Sequence, residues 1–253
     1  QRLVDAHFLP LVTLVDQRAA IGMEALFLPD DPAVGSDGLF RLGSVYPGHS
    51  RGVGGGLPDL DTQNQQNAIL EGQIEKSLSY RKGDSLASPL LVLAPETFTS
   101  DIIVGQYDRS RTWRRFTSFL KDYPDVNLLF GASSYDYISS AMKPSHTARK
   151  IGEGLWVESH NSALMTDWSG RTEIFHKSKL VVAVEHTPYP AIFCRIDDLL
   201  GGVMGRCIGQ DEVSLLTVHD TDGQNIPVGC AVCYESVYGE YYTDYIRKGA
   251  RAM

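Results

Sequence analysis

Clustered basic residues are missing from this sequence: 23 Lys and Arg stand against 31 Asp and Glu, for a formal net charge of −8. Neutralising a phosphate backbone needs such clusters, so the composition argues against a nucleic-acid partner, and no polybasic patch for a membrane surface stands out. Long apolar runs are missing too. Leu90 to Ala94 and Leu180 to Val184 fall far short of the roughly 20 residues that cross a bilayer as a helix. Cysteine is scarce: Cys194, Cys207, Cys230 and Cys233 are too few for a disulfide-built scaffold and leave the redox compartment open. The chain opens at Gln1 without an initiator Met, and Phe8 to Val15 is too short, and lacks the basic leader, for a signal peptide.

What is present suffices for one sizeable core, with 43% hydrophobic and 21% charged residues over 253 positions. The N-terminal quarter has little readable pattern. Its glycine run Gly52-Val53-Gly54-Gly55-Gly56 lacks the lysine and hydroxyl residue that complete a phosphate cradle and is expected to be a loop. From Asp61 the pattern sharpens. Asp61 or Thr62 is placed to cap a helix with Leu70, Ile74 and Leu78 at four-residue spacing. Leu90 to Ala94, uniformly apolar, predicts a strand covered on both faces, ending at Pro95-Glu96-Thr97. A second helix is expected with Trp113, Phe116, Phe119 and Leu120 on one side, then a strand through Val126 to Ala132. Leu155 to Thr166 and Arg171 to His176 flank the turn Asp167-Trp168-Ser169-Gly170 as a hairpin. Ser214 to Val218 and Ile226 to Cys233 read as strands, and Ser236 to Ala250 as a helix. This alternation indicates an α/β layered fold, and a chain of that class would continue into another strand after Met253.

Three polar residues stand at the ends of apolar segments, where open α/β folds place reactive side chains: Glu96, Lys177 and Cys233. A cysteine attacks acyl carbon as thiolate and needs a base or cation to shift its proton. A carboxylate supplies the base, and an ammonium holds the oxyanion of a tetrahedral intermediate. Singly, each has a plainer reading as a surface carboxylate, a solvated lysine and a small buried residue.

The surrounding words change that balance. Leu93-Ala94-Pro95-Glu96-Thr97, Asn161-Ser162-Ala163-Leu164, His176-Lys177-Ser178-Lys179-Leu180-Val181 and Cys233-Tyr234-Glu235, in that order, resemble the nitrilase (carbon-nitrogen hydrolase) superfamily. The stretch from Lys177 to Glu185 with Pro188, and Cys233-Tyr234-Glu235-Ser236, resemble its apolipoprotein N-acyltransferase branch. The resemblance runs from Pro89 to Met253; before it, Val45-Tyr46-Pro47 is the candidate for the family's first strand. It implies an αββα sandwich, with residues 1–58 as a poorly readable N-terminal segment and residues 59–253 as the catalytic domain, incomplete at its C-terminus. Membrane helices usually precede that domain.

Carried over, Glu96 is the general base, Lys177 the oxyanion partner and Cys233 the nucleophile, with Glu185, Tyr234 and Glu235 in support. Val182-Ala183-Val184 replaces the commoner Pro-Phe-Gly before Glu185. The implied activity is acyl transfer without cofactor or metal. Cys233 takes a fatty acyl chain from a phospholipid as a thioester, and the amine of a diacylglyceryl-cysteine apolipoprotein accepts it. The implied location is the bacterial inner membrane, reached through regions outside this chain, with the catalytic domain on the periplasmic side. The stretch His186 to Ile208, with Ile192, Phe193, Leu199, Leu200, Val203 and Met204, reads either as core packing around a turn or as an arm that contacts acyl chains. A soluble amidase using the same triad with water as acceptor is the first competing function. A metal or redox module on Cys230-x-x-Cys233 is the second.

Overall fold

The computed structural model describes residues 12–13, 60–80, 89–182, 184–199, 205–219 and 225–253. Its strands are β1 (Val12–Thr13), β2 (Leu90–Leu93), β3 (Thr99–Ile103), β4 (Val126–Ser139), β5 (Arg149–Gly152), β6 (Leu155–Thr166), β7 (Thr172–His176), β8 (Leu216–His219) and β9 (Asn225–Val228). Four helices accompany them: α1 (Leu60–Tyr80), α2 (Arg111–Leu120), α3 (Pro190–Leu199) and α4 (Gly239–Arg247). The class is α/β. Val45-Tyr46-Pro47, the glycine run, the link at 220–224 and residues 200–204 lie outside the described residues.

β4 and β6 pair antiparallel along nearly their full length and form the spine of a seven-stranded sheet. One edge of β4 takes β2 and then β3, both parallel; the free edge of β6 takes β7 and β5, both antiparallel. Because β2 and β3 share one edge in succession, residues 94–98 between them must leave the sheet. That excursion carries Glu96. β8 and β9 make a separate two-stranded sheet.

Alternation along the strands divides the side chains between two cores. Leu90, Val92, Leu128, Phe130 and Leu164 face α1 and α2, meeting Leu70, Ile74, Phe116 and Leu120. Leu91, Ala163, Met165 and Phe175 face the other way, against Leu216, Val218, Val228 and the α4 residues Tyr241 and Tyr245. The order is helices, large sheet, small sheet with α4, as an αββα sandwich requires. The α2 helix is well started: Ser110 Oγ accepts from Trp113 N at 2.9 Å, and Asp101 accepts from the backbone of Arg111 and Thr112.

Several boundaries differ from the sequence expectation. α1 begins at Leu60, so Asp61 and Thr62 lie within its first turn instead of capping it. β4 runs seven residues beyond Ala132, because pairing with β6 on its other edge sustains it. β8 begins at Leu216, not Ser214. β9 ends at Val228, so Cys230 and Cys233 do not share a strand. Cys233 instead opens a 3-10 turn, Cys233–Val237, and α4 follows from Gly239. β1, β3, β5 and α3 have no counterpart in the expected elements. Among the described residues no helix is long and apolar enough to cross a membrane.

Candidate active site

Glu96, Lys177 and Cys233, from three separate segments, meet on the face of the large sheet that looks toward β8 and β9. Lys177 Nζ donates to Glu96 Oε1 at 3.1 Å, across 81 residues of chain. Cys233 stands with Glu96 on the wall of one cavity, near enough that the charges of Glu96 and Lys177 both act on its thiol. Each residue is delivered by a local device. Glu96 sits in the excursion between β2 and β3, where Gly131 of β4 passes directly beneath: a Cβ there would lie 2.5 Å from the Pro95 carbonyl oxygen. Lys177 extends the β7 ladder by one bond, its N–H donating to Asn161 O at 2.8 Å. Cys233 follows the apolar segment at a φ of 53°, in the left-handed region that costs a side-chain-bearing residue energy. Thr97, next to Glu96, has φ 51°.

Glu185 joins the same cluster. Lys177 Nζ donates to it at 3.0 Å, and Asn161 Nδ2 donates both to Glu96 Oε1 at 2.7 Å and to Glu185 Oε1 at 2.5 Å. Val181 N–H caps the other Glu185 oxygen at 2.8 Å. Burial opposes the Lys177 ammonium, which is 1% exposed, yet Glu185 and Glu96 outweigh it and hold its pKa above the ordinary lysine value. Burial likewise raises Glu185, but the Val181 N–H, Asn161 and Lys177 together bring it below the usual carboxylate range. The Cys233 thiol is pushed up, first by burial and then by the negative charge of Glu96, with Lys177 pulling it back. The net shift upward favours the protonated thiol at rest.

Glu235 lies apart from the reacting groups. It is fully buried and accepts from Ser178 N at 2.7 Å and Lys179 N at 2.9 Å through one oxygen, and from Val232 N at 2.8 Å through the other. It thereby ties the loop after Lys177 to the turn that bears Cys233. Tyr241 OH adds a bond to Glu235 at 2.8 Å, and Tyr245 OH bonds Cys230 O at 2.6 Å, so α4 supports both sides of that turn. The Tyr234 side chain turns outward and packs edge-on against Tyr238 at 5.5 Å.

The expectation missed Asn161, Ser178 and Tyr241. Asn161 stands in the Asn161-Ser162-Ala163-Leu164 word, and a buried amide in a central strand is itself a signal, since such a group must be paired. Behind it, His160 and His176 stack at 4.3 Å; His176 bonds Ser162 Oγ, and burial with the neighbouring imidazole lowers its pKa to about 4, so it stays neutral. Cys230 is buried in the second core, its thiol pushed up to about 12 chiefly by burial. Among the described residues no three His, Cys, Asp or Glu side chains gather as metal ligands would.

A cavity of about 360 Å³ opens beside the cluster, with Glu96 and Cys233 on its wall among Leu93, Leu129, Ala163 and Val232. A thiol and a carboxylate on one wall, with a buried ammonium bonded to that carboxylate, are groups that can serve nucleophilic chemistry at an acyl carbon. In α3, Ile192, Phe193 and Ile196 turn to solvent at 60, 37 and 45% exposure, while Cys194 is buried; the side chains of Leu199, Leu200, Val203 and Met204 lie outside the described residues.

No protein-family model and no curated protein matches the chain. Its fold is similar to crystal structures of an N-terminal amidase in complex with a Gln-Gly peptide (11% identity, TM-score 0.36) and with an Asn-Glu peptide (12% identity, TM-score 0.36). In both comparisons the match covers 68% of this chain and 35% of the amidase chain, so it spans about a third of that protein's length.

Proposed function

We propose that this chain carries the cysteine-dependent acyl-transfer centre of a nitrilase-superfamily enzyme of the apolipoprotein N-acyltransferase branch. The observation that carries the proposal is the meeting of Cys233 and Glu96 on one cavity wall, with Lys177 hydrogen-bonded to Glu96 from behind. Cys233 Sγ attacks the ester carbonyl of a phospholipid while its proton passes to Glu96. Lys177 spends two N–H groups on Glu96 and Glu185 and has a third for the oxyanion. As the intermediate collapses the C–O bond breaks, Glu96 returns the proton to the leaving oxygen, and lysophospholipid departs. A thioester remains on Cys233. The neutral amine of a diacylglyceryl-cysteine apolipoprotein then attacks that carbon, gives its proton to Glu96, and the C–S bond breaks to leave an amide and a reprotonated thiol.

The coarser chemistry, carbon-nitrogen hydrolase-type reaction at an acyl carbon, needs only this cluster. The lipid donor draws support from α3, which follows Glu185 in the chain and whose outward residues Ile192, Phe193 and Ile196 give an apolar face that a small soluble amide does not call for. The proposed setting is the periplasmic side of the bacterial inner membrane. The test is peptide mapping of the full-length protein in detergent after exposure to phospholipid with no acceptor. A hydroxylamine-sensitive adduct is expected on Cys233, surviving Cys230→Ala, vanishing in Cys233→Ala, and discharged as an amide by a diacylglyceryl-cysteine peptide. Discharge to water alone, with ammonia released from small amides, would support an amidase instead; an adduct following Cys230 would overturn the mechanism.

A further inference from the structure

α3 is attached in an unusual way. Of its described side chains only Cys194 and Asp197 are buried, while Ile192, Phe193 and Ile196 face solvent. Apolar burial, the ordinary anchor of a surface helix, is thus nearly absent here. In its place stands an ion pair sealed from water: Asp197 is 1% and Arg206 4% exposed. Arg206 Nε donates to Asp197 Oδ2 at 2.8 Å, Nη2 reaches the same oxygen, and Nη2 also donates to Cys194 O at 2.9 Å. Arg149 adds a longer contact to Asp197 at 3.9 Å. One guanidinium therefore grips the helix by a side chain and by its backbone.

The other end of this strut is the catalytic neighbourhood. Gly205 O accepts from Thr187 Oγ1 at 2.7 Å, Cys207 N donates to Glu185 O at 2.7 Å, and Ile208 N donates to Ser159 O at 2.8 Å. Arg206 thus projects from a segment stitched to the backbone of Glu185 and to β6, which also bears Asn161. The approach to α3 is constrained as well. Tyr189, just before Pro190, holds φ at 44°, and its carbonyl accepts from Ile192 and Phe193 N–H at 2.9 and 3.1 Å.

We propose that Arg206 and Asp197 are positioning residues that set the angle of α3, and so of its apolar face, relative to the segment that carries Glu185. In doing so they determine the preference for a long-chain donor over a short one. The proposal rests on the acyl-transfer reading. Neither residue touches the reacting atoms. Glu185 keeps its own bonds to Val181, Asn161 and Lys177 when the strut is cut, so the chemistry of a donor too short to reach α3 is spared.

The test compares acylation of Cys233 in the full-length protein by a long-chain diacyl phospholipid in mixed micelles and by p-nitrophenyl butyrate, a soluble short-chain ester. Arg206→Lys keeps the charge and loses the two-pronged grip. It is expected to lower kcat/KM on the phospholipid at least about tenfold, through KM, and to leave the butyrate within about twofold. The pair Arg206→Met with Asp197→Leu replaces a buried ion pair by an apolar contact, a change that proteins often tolerate, and is expected to return the phospholipid to within about threefold of wild type. Equal losses on both donors, or an unchanged ratio in Arg206→Lys, would overturn the assignment. Should Arg206→Lys not fold, Asp197→Asn decides in its place: a loss confined to the phospholipid supports the strut, and equal losses or an unchanged ratio overturn it. Failure of the underlying reading looks different, because wild-type Cys233 would then take no acyl group from the phospholipid, whether or not it takes one from the butyrate ester.

Discussion

Replacing Gly131 by Ala tests whether backbone packing alone positions the proposed base. Gly131 lies in β4 beneath the excursion that carries Glu96. A Cβ there would stand 2.5 Å from Pro95 O and 2.6 Å from both Glu96 Cα and Thr97 N, where ordinary contact begins at 3.4 Å. Strand and turn must therefore part by about 0.9 Å, from 2.5 to 3.4 Å. All the obstructing atoms are backbone, so no side-chain rotation relieves the clash. β4 is paired with β6 through this region, while the turn at 94–98 is outside the sheet, so the turn gives way and takes Glu96 with it. Misplacing a reacting group by about 1 Å costs on the order of 10²-fold in rate. The accompanying overpacking costs about 1–3 kcal/mol of stability. Single-turnover acylation of Cys233, read beside urea unfolding, separates the two effects. Gly72→Ala in α1 is the control: nothing lies within 4 Å of its Cβ, and the helix should gain up to about 1 kcal/mol with no change in rate. A Gly131→Ala protein that acylates at the wild-type rate would refute the reasoning.

Two further outcomes follow from the charges around Cys233 and Glu235. Lys177 lowers the Cys233 pKa and Glu96 raises it, so the pH profile of Cys233 alkylation by iodoacetamide should move to higher pH in Lys177→Met and to lower pH in Glu96→Gln. Acyl transfer in Glu96→Gln should nonetheless fall on the order of 10²–10⁴-fold, because the proton acceptor is gone; a profile that moves up in that variant contradicts the assignment. Glu235→Gln keeps the side-chain size but turns an amide toward backbone N–H donors, which should cost about 1.5–3 kcal/mol in chemical denaturation and lower acyl transfer with the fold retained. Full activity in that variant would remove Glu235 from the supporting residues.

The sequence by itself determined the elements whose pattern is local and the residue types whose chemistry is explicit. Leu90 to Ala94, short and uniformly apolar, fitted a strand covered on both faces, and the strand is found at Leu90–Leu93; Asp167 to Gly170 marked its own hairpin. Glu96, Lys177 and Cys233 end apolar segments, but on that pattern alone each had a plainer reading, and it was the family words around them that singled them out. The limits of β4 and β9 were not legible, because a strand lasts as long as a partner supplies hydrogen bonds, and the partner lies far along the chain. Nor was the role of α3: the same Ile192, Phe193 and Ile196 suit a core or a surface, and only the burial of Asp197 against Arg206 decided which side faces inward. Tertiary structure alone brought Asn161 between Glu96 and Glu185, and put Glu235 under both the lysine loop and the cysteine turn. A hydrogen bond between residues tens of positions apart leaves no periodicity in the sequence; it exists only after the sheet has folded the two segments together.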